Sequence, residues 1–248
     1  MEPGFESKYH QLEKKHWWFV SRRDIIARLL KRLNIKKDQK ILDVGRSGGS
    51  LLEFLMSQGF TNIFGIDISD KAIAVCKTRG LNDVLVSPGE ATIFNDNQFD
   101  VIIASDILEH IKEDRRALRE WQRILKPGGM LIIFVPAFNF LWSQHDEINF
   151  HFRRYTRKSL LKKIAELHFT IKKSSYWNFS LFFGVIIPRL FQRLFKKNDK
   201  KFNDQLREVS SIINNTVIKL VKIENKLLES INFPLGTSVF VVCEKLKD

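Results

Sequence analysis

From Lys40 to Pro136, short apolar runs alternate with longer amphipathic ones. KILDVG is a β-branched run ending in glycine, and SLLEFLMSQG then carries apolar residues at helical spacing. IFGIDI predicts a second strand, and SDKAIAVCKTRG a helix with Ser69 as N-cap and Gly80 as stop. DVLVSP predicts a third strand. FDVIIASD predicts a fourth, nearly all apolar as a strand covered on both faces should be. KEDRRALREWQRIL predicts a helix closed by a KPGG turn, and MLIIFVP a fifth strand. Strand and helix alternating at this spacing predict parallel crossovers and a doubly wound sheet.

The rhythm changes after Pro136. Thr156 can cap a helix in RKSLLKKIAELHF, TIKKSSY predicts a sixth strand, and TSVFVVCEK a seventh that closes the chain. Between them lies the very apolar SLFFGVIIPRLFQRLF, interrupted by Pro188, then a polar linker and a long helix over Gln205–Glu229. Ahead of the sheet, SRRDIIARLLKRL predicts an amphipathic helix with HWWF just before it. The fold class expected is α/β: a Rossmann-like, seven-stranded, mostly parallel sheet with helices on both faces and a helical insertion before the last strand. The expected divisions are an N-terminal helical segment (1–39), a core (40–177), a helical insertion (178–234) and a final core strand (235–248).

Composition adds two things. Lys+Arg 41 against Asp+Glu 28 gives a formal charge of +13, which favours anionic partners such as nucleic acid, a phosphorylated substrate or an anionic membrane. Solvated lysine faces are the plainer account of that charge. Cys76 and Cys243 sit in apolar runs, so neither a disulfide framework nor a zinc site is expected, and a reducing cytoplasm fits. The N-terminus lacks the order of a secretion signal, and no stretch reaches the ~20 apolar residues of a spanning helix.

The chemistry-bearing segment is ILDVGRSGG, a strand running into a glycine-rich turn that opens a helix. Gly45 lets the chain turn sharply, and Gly48 and Gly49 bare the first N–H groups of the helix to a ligand. Asp67 ends the second strand about twenty residues later, where a carboxylate can accept from both hydroxyls of a ribose. Glu90 and Ala91 follow the third strand, where an acidic side chain can meet an adenine amino group, and Ser105 and Asp106 end the fourth. All lie at carboxyl ends of adjacent parallel strands, the crevice in which doubly wound sheets bind ligands.

With these residues in place, Lys40–Pro136 resembles the class I S-adenosylmethionine-dependent methyltransferases, through ILDVGRSGG, IFGIDIS, PGEA, FDVIIASDILEHI, KPGG and MLIIFVP. The resemblance implies a seven-stranded sheet whose last strand is antiparallel, and S-adenosylmethionine as cofactor. It implies that Asp43, Gly45 and Gly49 hold the methionine end of that cofactor, Asp67 the ribose, Ile68 the adenine face, and Glu90 with Ala91 the adenine edge. Ser47 stands where the family usually has glycine, and can still donate a hydrogen bond. Arg46 stands where cysteine is common. A nicotinamide enzyme of the same fold is disfavoured, because the turn reads GRSGG rather than GxGxxG.

The loop WSQHDEINFHFRRY follows the fifth strand and gathers His145, Asp146 and His151 before Arg153, Arg154 and Tyr155. These three are the expected catalytic groups, a neutral histidine being suited to taking a proton from a hydroxyl acceptor. The competing reading is a structural hydrogen-bond cluster with the arginines paired to acids. A metal site made by His145, Asp146 and His151 is a minor alternative, so no metal is expected. His110, in ILEHI, lies near the mouth of the active site in the family, or pairs with Glu109.

The expected function is S-adenosylmethionine-dependent methylation, by preference O-methylation of a small-molecule or saccharide- or lipid-linked acceptor. The loop pattern resembles a bacterial subgroup linked to cell-surface saccharide or lipid pathways. An RNA methyltransferase and a non-catalytic cofactor-binding scaffold are the alternatives. The expected location is cytoplasmic, with Trp177–Lys197 as a candidate for peripheral contact with an anionic membrane. Burial of that stretch in a subdomain or dimer interface is the competing expectation.

Overall fold

The computed structural model describes residues 12–45, 47–194 and 209–247, with only the backbone over 188–194. Its elements are α1 (Trp17–Arg32), β1 (Ile41–Val44), α2 (Ser50–Ser57), β2 (Ile63–Asp67), α3 (Asp70–Thr78), β3 (Val84–Val86) and β4 (Phe99–Ser105). There follow α4 (Asp114–Ile124), β5 (Leu125–Pro136), α5 (Gln144–Ile148), α6 (Arg157–Ala165), β6 (Phe169–Trp177), α7 (Phe179–Leu194), α8 (Ser211–Leu228) and β7 (Ser238–Lys245). The seven strands form one sheet in the order β3-β2-β1-β4-β5-β7-β6. The first five run parallel, and β7 is antiparallel to both β5 and β6.

Alternation along each strand sends residues to two cores, because successive side chains leave opposite faces of a sheet. Leu42, Ile102, Ala104, Ile133 and Val241 face a core closed by α4 and α6, around Trp121 and Leu160. Ile41, Val101, Ile103, Ile132 and Phe240 face the other, closed by α1, α2, α3 and α8. α1 and α8 are clamped together: Asn225 of α8 accepts from the Trp177 indole and donates to the Ser21 carbonyl (both contacts buried), and Arg28 pairs with Glu229. Cys76 and Cys243 are buried and form no disulfide.

Local signals explain most boundaries. Ser69 Oγ accepts from Ala72 N–H, and Gly80 takes φ +78° just past the end of α3. Thr156 caps α6 as expected, although that helix stops at Ala165. Three boundaries differ from the sequence expectation. KPGG is no turn between elements but part of β5: Phe99 pairs with Leu125 and Val101 with Met130, so the segment bulges out of a continuous strand, with Gly128 at φ +76°. Trp17 and Trp18 begin α1 rather than preceding it, because His16 caps the helix by accepting from Trp18 N–H. Pro188 does not interrupt α7, whose backbone continues to Leu194. The carbonyl the proline leaves without an N–H belongs to Gly184, an exposed residue at which water can replace the lost donor. The helix expected over Gln205–Glu229 is described from Ser211, and 205–208 lie outside the described residues, as does Arg46.

Candidate active site

The parallel strands bring Asp43, Gly45, Ser47 and Ser105 to one side of a small cavity at their carboxyl ends. Gly45 and Gly49 take left-handed backbone, φ +72° and +82°. A Cβ on Gly45 would stand 2.6 Å from Ile107, and one on Gly49 would stand 2.5 Å from Leu81, so strand, turn and helix meet as closely as they do only because these are glycines. Asp67 closes the turn from the neighbouring strand: its carboxylate accepts from Ser47 N–H and Ser69 N–H, both at 2.9 Å. Ile68 is exposed beside it. Glu90 and Ala91 do not line this cavity. They border a neighbouring open cleft of about 350 Å³, together with Arg116, Arg119 and Arg123.

The opposite wall comes from ahead of the sheet. It is the N-terminal segment, contributing Glu13, Trp18, Phe19, Arg22 and Arg23. Glu13 accepts from Gly48 N–H at the start of α2, where a helix N-terminus attracts an anion. Arg22 is buried between the faces of Phe134 and Trp177, each centroid 4.1 Å away, and its guanidinium reaches Ser105 Oγ at 3.2 Å and Asp106 at 3.1 Å. The cavity so enclosed is about 70 Å³, far below the roughly 300–1,000 Å³ of a ligand pocket. A nucleoside-sized cofactor therefore requires this wall to move outward.

The chain leaves β4 through Asp106, held at φ +56°, into a single 3-10 turn, Leu108–His110. The loop after β5 returns across it. Phe152 N–H donates to the Glu109 carbonyl, and Tyr155 bridges to Ala137 and donates its hydroxyl to Asp114. His151 follows Phe150, another non-glycine residue in left-handed backbone, φ +57°. Non-glycine residues held in such conformations cluster at functional sites.

The two histidine rings meet edge to face, His110 on His151, with centroids 4.5 Å apart. His151 Nδ1 is bonded to Asp146 Oδ1 at 2.8 Å. Asp146 is wholly buried and holds Arg154 through both oxygens, at 2.7 and 2.9 Å, and Ser143 N–H at 2.8 Å. Burial alone would raise the Asp146 pKa, but the hydrogen bonds of His151 and Arg154 hold it well below the carboxylate range. Burial, and then the neighbouring His151, push His110 down to about 3, so its ring is neutral at physiological pH. Burial and the nearby Asp106 push Glu109 well above its ordinary value, and burial raises Asp106 against the pull of Arg22.

The three expected catalytic residues thus have different positions. His151 stands at the mouth with Asp146 behind it. Asp146 is fully buried and meets only its partners in the loop, His151, Arg154 and Ser143, an arrangement that agrees with the scaffold reading for this residue. His145 lies to the side, ring centroid 6.0 Å from His151, with Asn149 against it. Asp146, spent on Arg154 and His151, cannot join His145 and His151 around a metal. Sequence reasoning missed Glu109 as part of the cluster, although ILEHI directly after the fourth strand was the signal.

Residues 42–133 match a methyltransferase domain family. Over a little more than a third of its length the chain is thus similar to a methyltransferase domain. The chain is 33% identical over 97 residues to a ubiquinone biosynthesis O-methyltransferase of Thiobacillus denitrificans, covering 37% of this chain and 41% of that one. It is 32% identical over 111 residues to phosphoethanolamine N-methyltransferase 1 of Arabidopsis thaliana, covering 42% of this chain and 22% of that one. The chain spans about two fifths to one half of the length of the ubiquinone O-methyltransferases it matches first. Among solved structures, an S-adenosylmethionine-dependent methyltransferase of Archaeoglobus fulgidus shares the fold at TM-score 0.54 and 19% identity, covering 90% of this chain and 94% of that one. The [4+2]-cyclase SpnF does so at 0.60 and 20%, covering 91% and 82%. The fold thus positions a cofactor crevice without fixing the reaction.

The residues present fit S-adenosylmethionine. The glycine turn, pinned by Asp67 through Ser47 N–H, borders a cavity edged by Asp43 and Ser105. The cofactor supplies a methyl group on a sulfonium.

Proposed function

We propose that the protein transfers a methyl group from S-adenosylmethionine to an oxygen of a small-molecule acceptor. The observation that carries this is the His110–His151 pair, backed by buried Asp146, beside the cofactor crevice. Ser105 and Asp106 link the two through Arg22. Asp43, Gly45 and Gly49 hold the methionine end of the cofactor. Asp67 takes the ribose, and Ile68, Glu90 and Ala91 surround the adenine. In transfer, an oxygen lone pair forms the O–CH3 bond as the S–CH3 bond breaks. That bonding pair stays on sulfur, giving S-adenosylhomocysteine, and the hydroxyl proton passes to the outer nitrogen of His151. Arg154 and Asp146 keep that ring in one orientation. The test is release of S-adenosylhomocysteine with hydroxylated acceptors. Failure with all oxygen acceptors, by protein that binds the cofactor, would overturn the reading.

The cofactor site has its own test. Asp67→Ala is expected to weaken S-adenosylmethionine binding by about 1.5–3 kcal/mol, the range for a hydrogen bond to a charged group. Calorimetry measures this, and tryptophan emission provides a second readout because Trp18 lines the cavity wall. Unchanged affinity in a folded variant would remove Asp67 from the site.

A specific surface favours peripheral membrane contact as well. Ile212, Ile213, Leu220, Ile223 and Leu227 form one exposed stripe along α8, with Lys219, Lys222 and Lys226 on its flank, and α7 exposes Phe183 and Ile187. An apolar stripe edged by lysine suits the interface of an anionic bilayer. Phe182, by contrast, is buried against Phe138 and takes no part. No helix among the described residues is long and apolar enough to cross a membrane. Anionic liposomes are expected to retain the protein in sedimentation, less so at high salt and with Phe183→Asp plus Ile223→Asp. Equal recovery in the supernatant with neutral and anionic vesicles would exclude the contact.

A further inference from the structure

Glu109, His110 and His151 each bring one ligand-type atom to a common point, all within 4.8 Å of one another. They come from two segments, the turn after β4 and the loop after β5. Two features distinguish the group from a chance cluster. First, Glu109 is 1% exposed, and its Oε2 is buried with no hydrogen-bond partner. Leaving such an oxygen unmatched costs about 1–3 kcal/mol, so something is needed to face it. Second, the His151 imidazole is held from behind, its Nδ1 bonded to Asp146 Oδ1 at 2.8 Å. A carboxylate on Nδ1 is the support that metal-ligating histidines have, since it fixes the tautomer and leaves the Nε2 lone pair for the metal.

We propose that Glu109, His110 and His151 bind a divalent cation at the acceptor side of the cofactor crevice. Two imidazoles and one carboxylate suit Zn2+, Mn2+ or Fe2+, and three protein ligands leave positions open for an oxygen. Binding draws the ligand atoms inward to about 2.0–2.2 Å from the ion. The inference deepens the proposed transfer and rests on the reading of this pocket as the acceptor site. A cation there lowers the pKa of an acceptor hydroxyl. The proton then leaves to water, and His151 serves as a ligand rather than as the base.

The test uses the full-length protein, stripped with EDTA and dialysed, then titrated with CoCl2 and followed by visible absorption and calorimetry. The expected result is one equivalent bound with the spectrum of low-coordinate Co2+. Affinity should fall at least tenfold in Glu109→Gln and in His110→Ala, and stay unchanged in His145→Ala. Affinity for S-adenosylhomocysteine, unchanged in each variant, shows that the fold is kept. Absence of stoichiometric binding, or binding indifferent to Glu109→Gln and His110→Ala, would overturn the site. Turnover separates the two claims. Stripped protein that transfers methyl groups at the full rate refutes the cation and leaves the transfer intact. Protein that binds Co2+ through these residues but methylates no oxygen acceptor keeps the site and refutes the transfer.

Discussion

Asp146→Ala is expected to lower the unfolding free energy by about 3–5 kcal/mol, the usual cost of removing one partner from a buried ion pair. Asp146 is fully buried, and the side chain of Arg154 is only 7% exposed. The guanidinium, now bonded through two nitrogens, would keep only its contact to the Ala137 carbonyl. Ser143 would lose its capping partner at α5, and His151 the bond that orients it. For a chain of this size the loss corresponds to a fall in Tm of about 6–20 °C. Urea or thermal denaturation measures it. The double variant Asp146→Ala, Arg154→Met should recover part of the loss, because it removes the stranded charge along with its partner. A drop below about 1 kcal/mol in the single variant would mean that water reaches Arg154 and that the loop is not built on this pair.

The parts of the fold that were legible in the sequence are those set by local periodicity. In FDVIIASD and MLIIFVP nearly every residue is apolar, and the structure shows why: Ile102 and Ile103, or Ile132 and Ile133, face different cores. Ser69, Gly80 and Thr156 marked helix ends because capping is local chemistry. What local reasoning missed was decided across the sheet. KPGG has the composition of a turn, yet its residues are carried in β5 by pairing on both sides, and the excess length is expelled as a bulge. Pro188 reads as a break, but backbone beside an exposed glycine tolerates the missing bond.

The same division runs through the candidate site. Asp43, Gly45, Ser47 and Ser105 could be placed around one cavity in advance because they sit at the carboxyl ends of adjacent strands, whereas Glu90 and Ala91, read in the same way, border a different cleft. The wall formed by Glu13, Trp18 and Arg22 could not, since nothing near HWWF states that α1 packs across the mouth of β1 and β4. His145, Asp146 and His151 were drawn together by proximity in sequence. The structure instead pairs His151 with His110, forty-one residues earlier, through a loop tied back by Phe152 and Tyr155. Glu109 seemed an ordinary neighbour of His110 until its burial was visible.

His151→Ala is expected to lower methyl transfer at least ~100-fold, within the range lost when an acid–base group is removed. Cofactor affinity should barely change, because His151 lies on the acceptor side and makes no contact with the glycine turn. The loss should fall on kcat and kcat/KM together, the pattern of an interaction made in the transition state, rather than on KM alone. His145→Ala should cost far less: Asp146 orients His151, and the His145 ring meets Asn149 instead. Asp146→Asn is the informative intermediate. It keeps the shape of the loop while weakening the hold on His151, so its turnover should fall between parent and His151→Ala, with S-adenosylhomocysteine binding retained. The measurement is S-adenosylhomocysteine release under saturating cofactor, once an oxygen acceptor is in hand. Parent-like turnover in His151→Ala would remove the ring from the chemistry, whether as base or as ligand. A large loss in His145→Ala with none in His151→Ala would move the acceptor to the other side of α5.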